Sequence, residues 1–140
     1  MKALLAAAAA LTLSACNPLV SATNNVGNVP ATAQSVSLSQ YMAAGGGPYW
    51  SFELTNGGNG FTMRHPTTTS QITHQGTITS QTALNGGAWL IEGQVGSQTL
   101  ILIAEPVSSG VCSDGHVDGQ DTVRVAWNGY LYRGCGRLTP

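Results

Sequence analysis

The chain has 140 residues, enough for one small domain, and 8% of them are charged where about a quarter is usual in globular proteins. Its formal net charge is −1, so it lacks the excess of positive charge that is typical of proteins that bind nucleic acid or anionic membrane surfaces. We therefore predict no nucleic-acid partner, and we expect solubility to rest on neutral polar residues.

Residues 1–16 have the form of a secretory signal that ends in a bacterial lipobox. Lys2 supplies the positive start, and an apolar run up to Leu13 follows it. Small residues then lead into Cys16, whose thiol would be alkylated by diacylglycerol. The run falls well short of the roughly 20 residues that a transmembrane helix needs. We predict a signal peptide at 1–15 and a permanent lipid anchor at Cys16.

Without that leader the chain would contain no lysine, and its four arginines and six acidic residues would give a net charge of 4 − 6 = −2. Residues 16–44 are uncharged and lack a helical or strand period, which predicts a lipidated cysteine followed by a flexible tether. A glycine triplet at 45–47 is typical of a hinge or loop. We place the folded domain at 45–140.

Two cysteines remain once Cys16 is acylated. An even pair in an oxidising compartment indicates a disulfide between Cys112 and Cys135, which would stabilise a small domain by about 3 kcal/mol. A catalytic or metal-binding thiol would need a partner set such as C-x-x-C, and no such spacing is present.

The first hairpin is predicted at residues 48–65. Apolar and polar residues alternate over 48–55, a glycine-rich turn covers 56–60, and the return strand is 61–65. The inward face of the first strand would carry Trp50, Phe52 and Leu54.

The middle of the chain gives weaker signals. Thr, Ser and Gln dominate residues 66–85, which predicts one or two exposed edge strands. Continuous apolar runs at 88–91 and 100–103 are typical of strands buried on both faces. Gly96-Ser97 suits a two-residue hairpin loop between those two strands.

The last hairpin gives the clearest signal. Residues 122–127 and 130–134 flank Asn128-Gly129, the signal for a type I′ turn. A two-residue loop fixes the register, and the expected inward pairs are Trp127 with Tyr130, Val125 with Tyr132 and Val123 with Gly134. No helical stripe follows the leader, so we predict an all-β fold, a small antiparallel barrel or sandwich of about six to eight strands.

The same register sets Arg124 opposite Arg133 on the outer face. Two like charges in that position are unfavourable without carboxylates nearby, and Asp114, Asp118 and Asp121 are the candidates. We take Arg124, Arg133, Asp114 and Asp118 as the candidate partner-binding residues.

Residues 114–119 also place oxygen donors at alternate positions with a glycine at the sixth, as a calcium loop does. The twelfth position is Val125 where such a loop needs a bidentate Glu. We therefore favour a polar loop whose carboxylates cap turns, and we predict no metal and no cofactor. His116 beside an aspartate could imitate a general base and its orienting group, but a nucleophile in reach would also be needed.

His65 and His74 lie in polar segments without a second ligand at a recognisable spacing, and we expect solvated surface histidines. The large aromatic residues could line a ligand groove, although burial statistics favour a core role. These residues are Trp50, Trp89, Trp127, Tyr130 and Tyr132.

At Gly47-Pro48-Tyr49-Trp50, at Cys112-Ser113-Asp114-Gly115 and at Gly134-Cys135, the chain resembles a family of small bacterial envelope lipoproteins. That family opens its domain with Gly-x-x-Pro-Phe-Trp and ends it with Cys-x-Asp-Gly-Met-Ser-Asp and a hairpin closing in Gly-Cys. The matching positions are Pro48, Trp50, Cys112, Asp114, Gly115, Asp118 and Cys135. His116 and Val117 depart from the pattern. The resemblance implies an envelope location and a β fold, and it implies no reaction.

We therefore expect a non-catalytic binding or structural module, anchored in the envelope, with a protein or cell-wall partner. Asn17 is not the Asp that often retains lipoproteins at the inner membrane, which favours the outer membrane facing the periplasm. The alternative is an inhibitor of a lysozyme-like hydrolase, since small β-barrel lipoproteins of that class share the anchor, size and disulfide. Those inhibitors use a Ser-Gly-x-x-Tyr loop, which residues 109–112 do not complete.

Overall fold

The computed structural model describes residues 34–114 and 117–139, which form an all-β fold. Two short 3-10 turns cover Asn56–Gly58 and Asn85–Gly87. The strands, in chain order, are β1 (Gln34–Ser35), β2 (Tyr41–Gly45), β3 (Trp50–Thr55), β4 (Gly60–Pro66), β5 (Gln71–Ala83), β6 (Trp89–Val95), β7 (Gln98–Pro106), β8 (Cys112–Ser113), β9 (Asp118–Gly119), β10 (Asp121–Trp127) and β11 (Tyr130–Leu138).

Eight of these strands close into an antiparallel barrel, which confirms the predicted class and selects the barrel over the sandwich. The order around the barrel is β2-β3-β4-β5-β6-β7-β10-β11, and β11 pairs with β2 to close it. Each barrel strand therefore lies beside the barrel strands that precede and follow it in the chain. β1 pairs with β5, while β8 and β9 pair only with each other.

Connections in such a barrel alternate between its two ends, which we call the mouth and the base. The mouth carries the connections 46–49, 67–70, 96–97 and 128–129, and the base carries 56–59, 84–88 and 107–120. Both the first residue of β2 and the last residue of β11 lie at the base.

Side chains fill the interior of the barrel, as is usual for eight strands. Trp50, Phe52 and Leu54 all point inward and are at most 5% exposed, which confirms the expected face of β3. The Phe61 ring of β4 lies against Gly76 of β5 and Gly93 of β6. A Cβ at either glycine would overlap that ring, so the two glycines provide the space for it. The residues that pack together inside are Tyr41, Ala43, Trp50, Phe52, Leu54, Phe61, Met63, Ile91, Leu100, Leu102, Ala104, Val123, Val125, Trp127 and Tyr132.

Two expectations for the middle of the chain were wrong. Residues 71–83 form one strand, β5, which pairs with β4 over its first half and β6 over its second, so it is not an edge strand. The apolar run of β7 is buried on one face only, because no second layer of described residues covers the outer face of this strand. Leu100 and Leu102 are fully buried there, whereas Ile101 between them is 37% exposed.

The last hairpin has the expected register, including Arg124 opposite Arg133. Asn128 and Gly129 adopt φ of 50° and 78°, as a type I′ turn requires. One expectation failed, because Tyr130 is 62% exposed although its partner Trp127 is buried. Tyr130 is the first residue of β11 and stands at the rim of the mouth.

The folded domain begins before residue 45, which corrects the expected boundary between tether and domain. β2 is a barrel strand, and Tyr41 within it is 1% exposed. β1 lies further upstream and pairs with the base end of β5 through Gln34 and Ser35. The leader and Cys16 fall outside the described residues. Within 34–114 and 117–139, no helix has the length and apolar character to cross a bilayer.

The Gln81 side chain fastens this upstream segment to the barrel. Its Oε1 accepts a hydrogen bond from the Leu38 backbone N–H at 2.6 Å, and its Nε2 donates to the Gly58 carbonyl at 2.8 Å. The segment before β2 is thereby tied to both β5 and the β3–β4 turn. The chain therefore enters the domain at the base.

Candidate functional site

A cleft of about 590 Å³ opens at the mouth, and we call it the mouth cleft. It lies between three connections, those following β2, β4 and β10. Its size lies within the range of small-molecule sites, and it combines apolar rings with a few polar groups, as such sites do. The lining residues are Pro48, His65, Pro66, Thr67, Thr68, Asn128, Tyr130, Leu131 and Tyr132.

Two tyrosines on β11 form the aromatic side of the mouth cleft. Tyr130 and Tyr132 are two residues apart on one strand, so they share a face, and their ring centroids are 6.1 Å apart. Tyr132 is 7% exposed and packs against Trp50, whereas Tyr130 projects into solvent. The cleft thus has one fixed ring and one accessible ring.

The expectation that His65 and His74 are solvated was wrong. His65 is 9% exposed and His74 is half-buried, and their ring centroids are 5.3 Å apart. Both rings pack against Trp127, at 5.0 Å for His65 and 4.6 Å for His74. The histidines therefore form part of the packed interior near the mouth, and His65 also lines the mouth cleft.

Burial lowers the pKa of His65, and the charge that His74 carries when protonated lowers it further. The Tyr132 hydroxyl lies 3.4 Å from Nδ1 of His65. Burial also raises the pKa of Tyr132, with a further contribution from Tyr130. Both groups are thus held in their neutral forms near neutral pH, and the cleft presents a hydroxyl and an imidazole without charge.

Trp127 lies beneath these histidines and is 2% exposed. Its indole N–H has no hydrogen-bond acceptor among the described residues. A buried donor without an acceptor costs about 1–3 kcal/mol. The contacts of this indole with the described residues include ring contacts with the two imidazoles.

The predicted disulfide is present, with Cα atoms 5.6 Å apart. Cys135 points out of the barrel on β11, and Cys112 belongs to the 107–120 connection, which we call the finger. The finger folds back on the outside of β11, where Gly119 packs so closely on Gly136 that a Cβ would overlap backbone. The bond therefore joins the longest connection to the wall of the barrel.

The candidate partner-binding residues lie on this outer side. Asp114 and Arg133 line one groove of about 360 Å³ beside the disulfide. Arg124 lies next to Arg133 across the β10–β11 pair, and Asp118 is exposed on β9. Asp114 and Arg133 thus share one groove, and none of its lining residues belongs to the lining of the mouth cleft.

Within the part of the chain that the structure describes, the ion pair of Arg124 is with a carboxylate outside the finger. Arg124 pairs with Glu105 of β7 at 3.4 Å, between side chains that are about half exposed. Asp114 holds the finger, because its Oδ2 accepts from the Gly46 N–H and its Oδ1 from the Val117 N–H, both at 3.1 Å. The solvent-exposed ion pair between Arg124 and Glu105 contributes at most about 1 kcal/mol to the stability of the fold.

Asp121 points into the barrel and is 8% exposed. It accepts a hydrogen bond from the Tyr41 hydroxyl at 2.8 Å. Burial raises the pKa of Tyr41, and the neighbouring carboxylate raises it further. Over the described ranges, with 115 and 116 excluded, no three His, Cys, Asp or Glu side chains are grouped to hold a metal. The carboxylates at 114 and 121 thus serve the fold, as turn cap and buried acceptor.

No protein-family model, curated protein or solved structure matches this chain.

Most of the mouth cleft was missed from the sequence, although one signal was available. Phe61, Met63 and His65 alternate along β4, and the first two are core residues, so His65 had to share their inward face. The polar residues of β5 concealed the same pattern around His74. The proximity of Pro48, Thr68 and Tyr130 depends on barrel closure, which no local pattern encodes.

Proposed function

We propose that this protein is a lipid-anchored binding module of the cell envelope, whose mouth cleft faces away from the membrane. The observation that carries the proposal is the position of the two ends of the barrel. The chain coming from Cys16 enters at the base, beside the end of β5, and the mouth cleft opens at the opposite end. A tether attached at the base would leave the mouth free.

Two further observations support an envelope location. Residues 13–16 match the lipobox, and the Cys112–Cys135 disulfide is typical of proteins that fold in an oxidising compartment. The filled interior of the barrel leaves no lumen for a ligand, so recognition must use an end or the outer wall. The mouth cleft is a concave surface at one end, and it combines several rings with neutral polar groups.

The anchor is tested by labelling bacteria that express the full chain with an alkyne-bearing palmitate. We expect the wild type to incorporate the label and sediment with membranes. Cys16→Ala should not incorporate the label, whereas Cys112→Ser, which also removes one thiol, should retain it. A wild-type protein without label, or incorporation of the label by Cys16→Ala, would contradict the anchor.

The binding role is tested by placing a photo-crosslinking phenylalanine derivative at either of two leucines. Leu131 lines the mouth cleft and is 59% exposed, whereas Leu138 is 53% exposed at the base end of the same strand. In intact cells we expect a discrete adduct from position 131 and none from position 138. Equal adducts, or none at either position, would favour a passive structural lipoprotein.

An inhibitor of a lysozyme-like hydrolase is the second candidate, and one exposed turn favours it. The Ser109 hydroxyl donates to the Val111 carbonyl at 3.0 Å, and Gly110 has a positive φ of 73°. The turn is narrow and exposed, so it could enter an enzyme cleft. Dose-dependent inhibition of a C-type lysozyme that is lost in Ser109→Ala and kept in Thr68→Ala would support this alternative.

A further inference from the structure

We infer that the mouth cleft binds a neutral carbohydrate, with one sugar ring stacked on Tyr130 and its hydroxyls bonded by Thr68, Asn128 and His65. This inference rests on the proposed function and names the ligand class of that same site. It follows from three properties of the cleft, namely an exposed ring, a rim of neutral hydrogen-bonding groups and the absence of charged side chains from its lining.

The exposed ring is the first property. Tyr130 is 62% exposed, while Tyr132 next to it is buried and anchored against Trp50. Tyrosine has only two side-chain torsion angles, so it loses little conformational freedom on binding. A pyranose has a face of C–H groups that packs on the negative face of an aromatic ring, so an accessible tyrosine at the entrance suits it.

The polar rim is the second property. The Asn128 Oδ1 already accepts a hydrogen bond from Gln98 at 3.0 Å, which orients its side-chain NH2 group as a donor. The Thr67 hydroxyl donates to the Ser70 carbonyl at 2.9 Å, which holds the connection that carries Thr68. Hydroxyl, amide and imidazole groups can each donate and accept, and sugar hydroxyls require both.

Charge is the third property, and it excludes other ligand classes. None of the nine lining residues is Asp, Glu, Lys or Arg. Burial lowers the pKa of His65, so this group is also neutral near pH 7. An anionic or cationic ligand would lose hydration here without gaining an opposite charge, whereas the hydroxyls of a neutral ligand can exchange water for hydrogen bonds to the rim. Nucleotides, phosphorylated headgroups and acidic glycans therefore fit poorly.

The test is isothermal titration of the lipidated full chain in a detergent without a sugar headgroup. The probes are triacetylchitotriose, which is neutral, its deacetylated cationic form, an anionic oligogalacturonate and a proline-rich peptide. We expect saturable binding of triacetylchitotriose and at least about tenfold weaker binding of both charged sugars. No binding of the neutral sugar, equal binding of the charged forms, or preference for the peptide would overturn the inference.

Variants locate the site. Tyr130→Ala should weaken binding of triacetylchitotriose about tenfold or more, which corresponds to about 1.4 kcal/mol. Tyr130→Phe, which keeps the ring, should bind within about threefold of wild type, and so should Leu138→Ala at the base. Should Tyr130→Ala fail to fold, Thr68→Ala tests the rim instead, and wild-type affinity in that variant would contradict our assignment.

The outcome separates the two proposals. If the protein binds no glycan while Cys16 is labelled and position 131 crosslinks, the carbohydrate inference is wrong and the anchored binding module stands. If the protein binds the glycan but Cys16 is not labelled, the carbohydrate inference stands and the lipid anchor is wrong.

Discussion

The disulfide offers the most direct test of how the fold is held together. We predict that the double variant Cys112→Ser/Cys135→Ala destabilises the protein by about 3.4 kcal/mol. Alanine is chosen at position 135 because Cys135 is 1% exposed and a serine hydroxyl would be buried there. Cys112 is half-buried, so serine is tolerated at that position.

The magnitude follows from the length of the loop that the bond closes. The two cysteines are 23 residues apart, and the chain-entropy relation for that loop gives about 3.4 kcal/mol at 25 °C. For a domain of roughly 100 ordered residues, this loss lowers the melting temperature by about 15 °C. The removal of finger contacts would add to the effect, since Gly119 packs directly on β11.

The assay is urea unfolding followed by tryptophan fluorescence, because Trp50 and Trp127 are buried and report the core. Wild type treated with a reductant provides the matched control, since it loses the bond without a change of residue. The double variant and the reduced wild type should agree within about 1 kcal/mol.

A loss below about 1 kcal/mol in both samples would refute this reasoning. It would mean that the finger opens on its own while the barrel stays closed by its β11–β2 pairing. Limited proteolysis distinguishes the cases, because a finger that opens alone would be cut within 107–120 before the barrel unfolds.

Three further predictions concern side chains inside the barrel and at its base. The contribution of His65 to the free energy of unfolding should be level above pH 6.5, fall as the pH drops from 6.5 towards the lowered pKa of His65, and be level again below that pKa, because the unfolded chain binds the proton more readily in this window. His65→Gln should flatten this dependence in urea melts at several pH values. Tyr41→Phe leaves the Asp121 carboxylate without its 2.8 Å donor and should cost about 1–3 kcal/mol by thermal melting, and a cost near zero would show that water replaces the hydroxyl. Gln81→Ala removes the hydrogen bonds to Leu38 and Gly58, so amide exchange of residues 34–40 should accelerate by about tenfold or more while exchange in β10 stays unchanged; equal acceleration in both would contradict a local role.

The elements that could be predicted are those with strong local signals. The Asn128-Gly129 turn defines its own loop length, so the register of the last hairpin followed, including Arg124 opposite Arg133. Alternation along β3 likewise identified its inward face. The disulfide required only a count of cysteines and an expected compartment.

The failures come from long-range pairing. β5 lacks an apolar face because its inward positions include His74 and Gly76, and the Phe61 ring from β4 fills the space above that glycine. The sequence of β5 therefore predicts an exposed strand, because the apolar ring that fills its inner side belongs to another strand. The opposite error was made for Ile101, which was predicted to be buried and is exposed, because an apolar run does not show whether a second layer covers the outer face.

The closed barrel also explains where recognition can occur. A filled interior and continuous pairing leave no lumen and no open sheet edge around the eight strands, so the ends and the outer wall remain. The base is occupied by the entering chain, the Tyr41–Asp121 pair and the root of the finger. The mouth has four short connections, which leave Tyr130 and Leu131 uncovered beside a packed floor of Tyr132 and His65. A ligand at the mouth would therefore bind at the end of the domain opposite Gln34, which is the arrangement that the proposed anchored binding module requires.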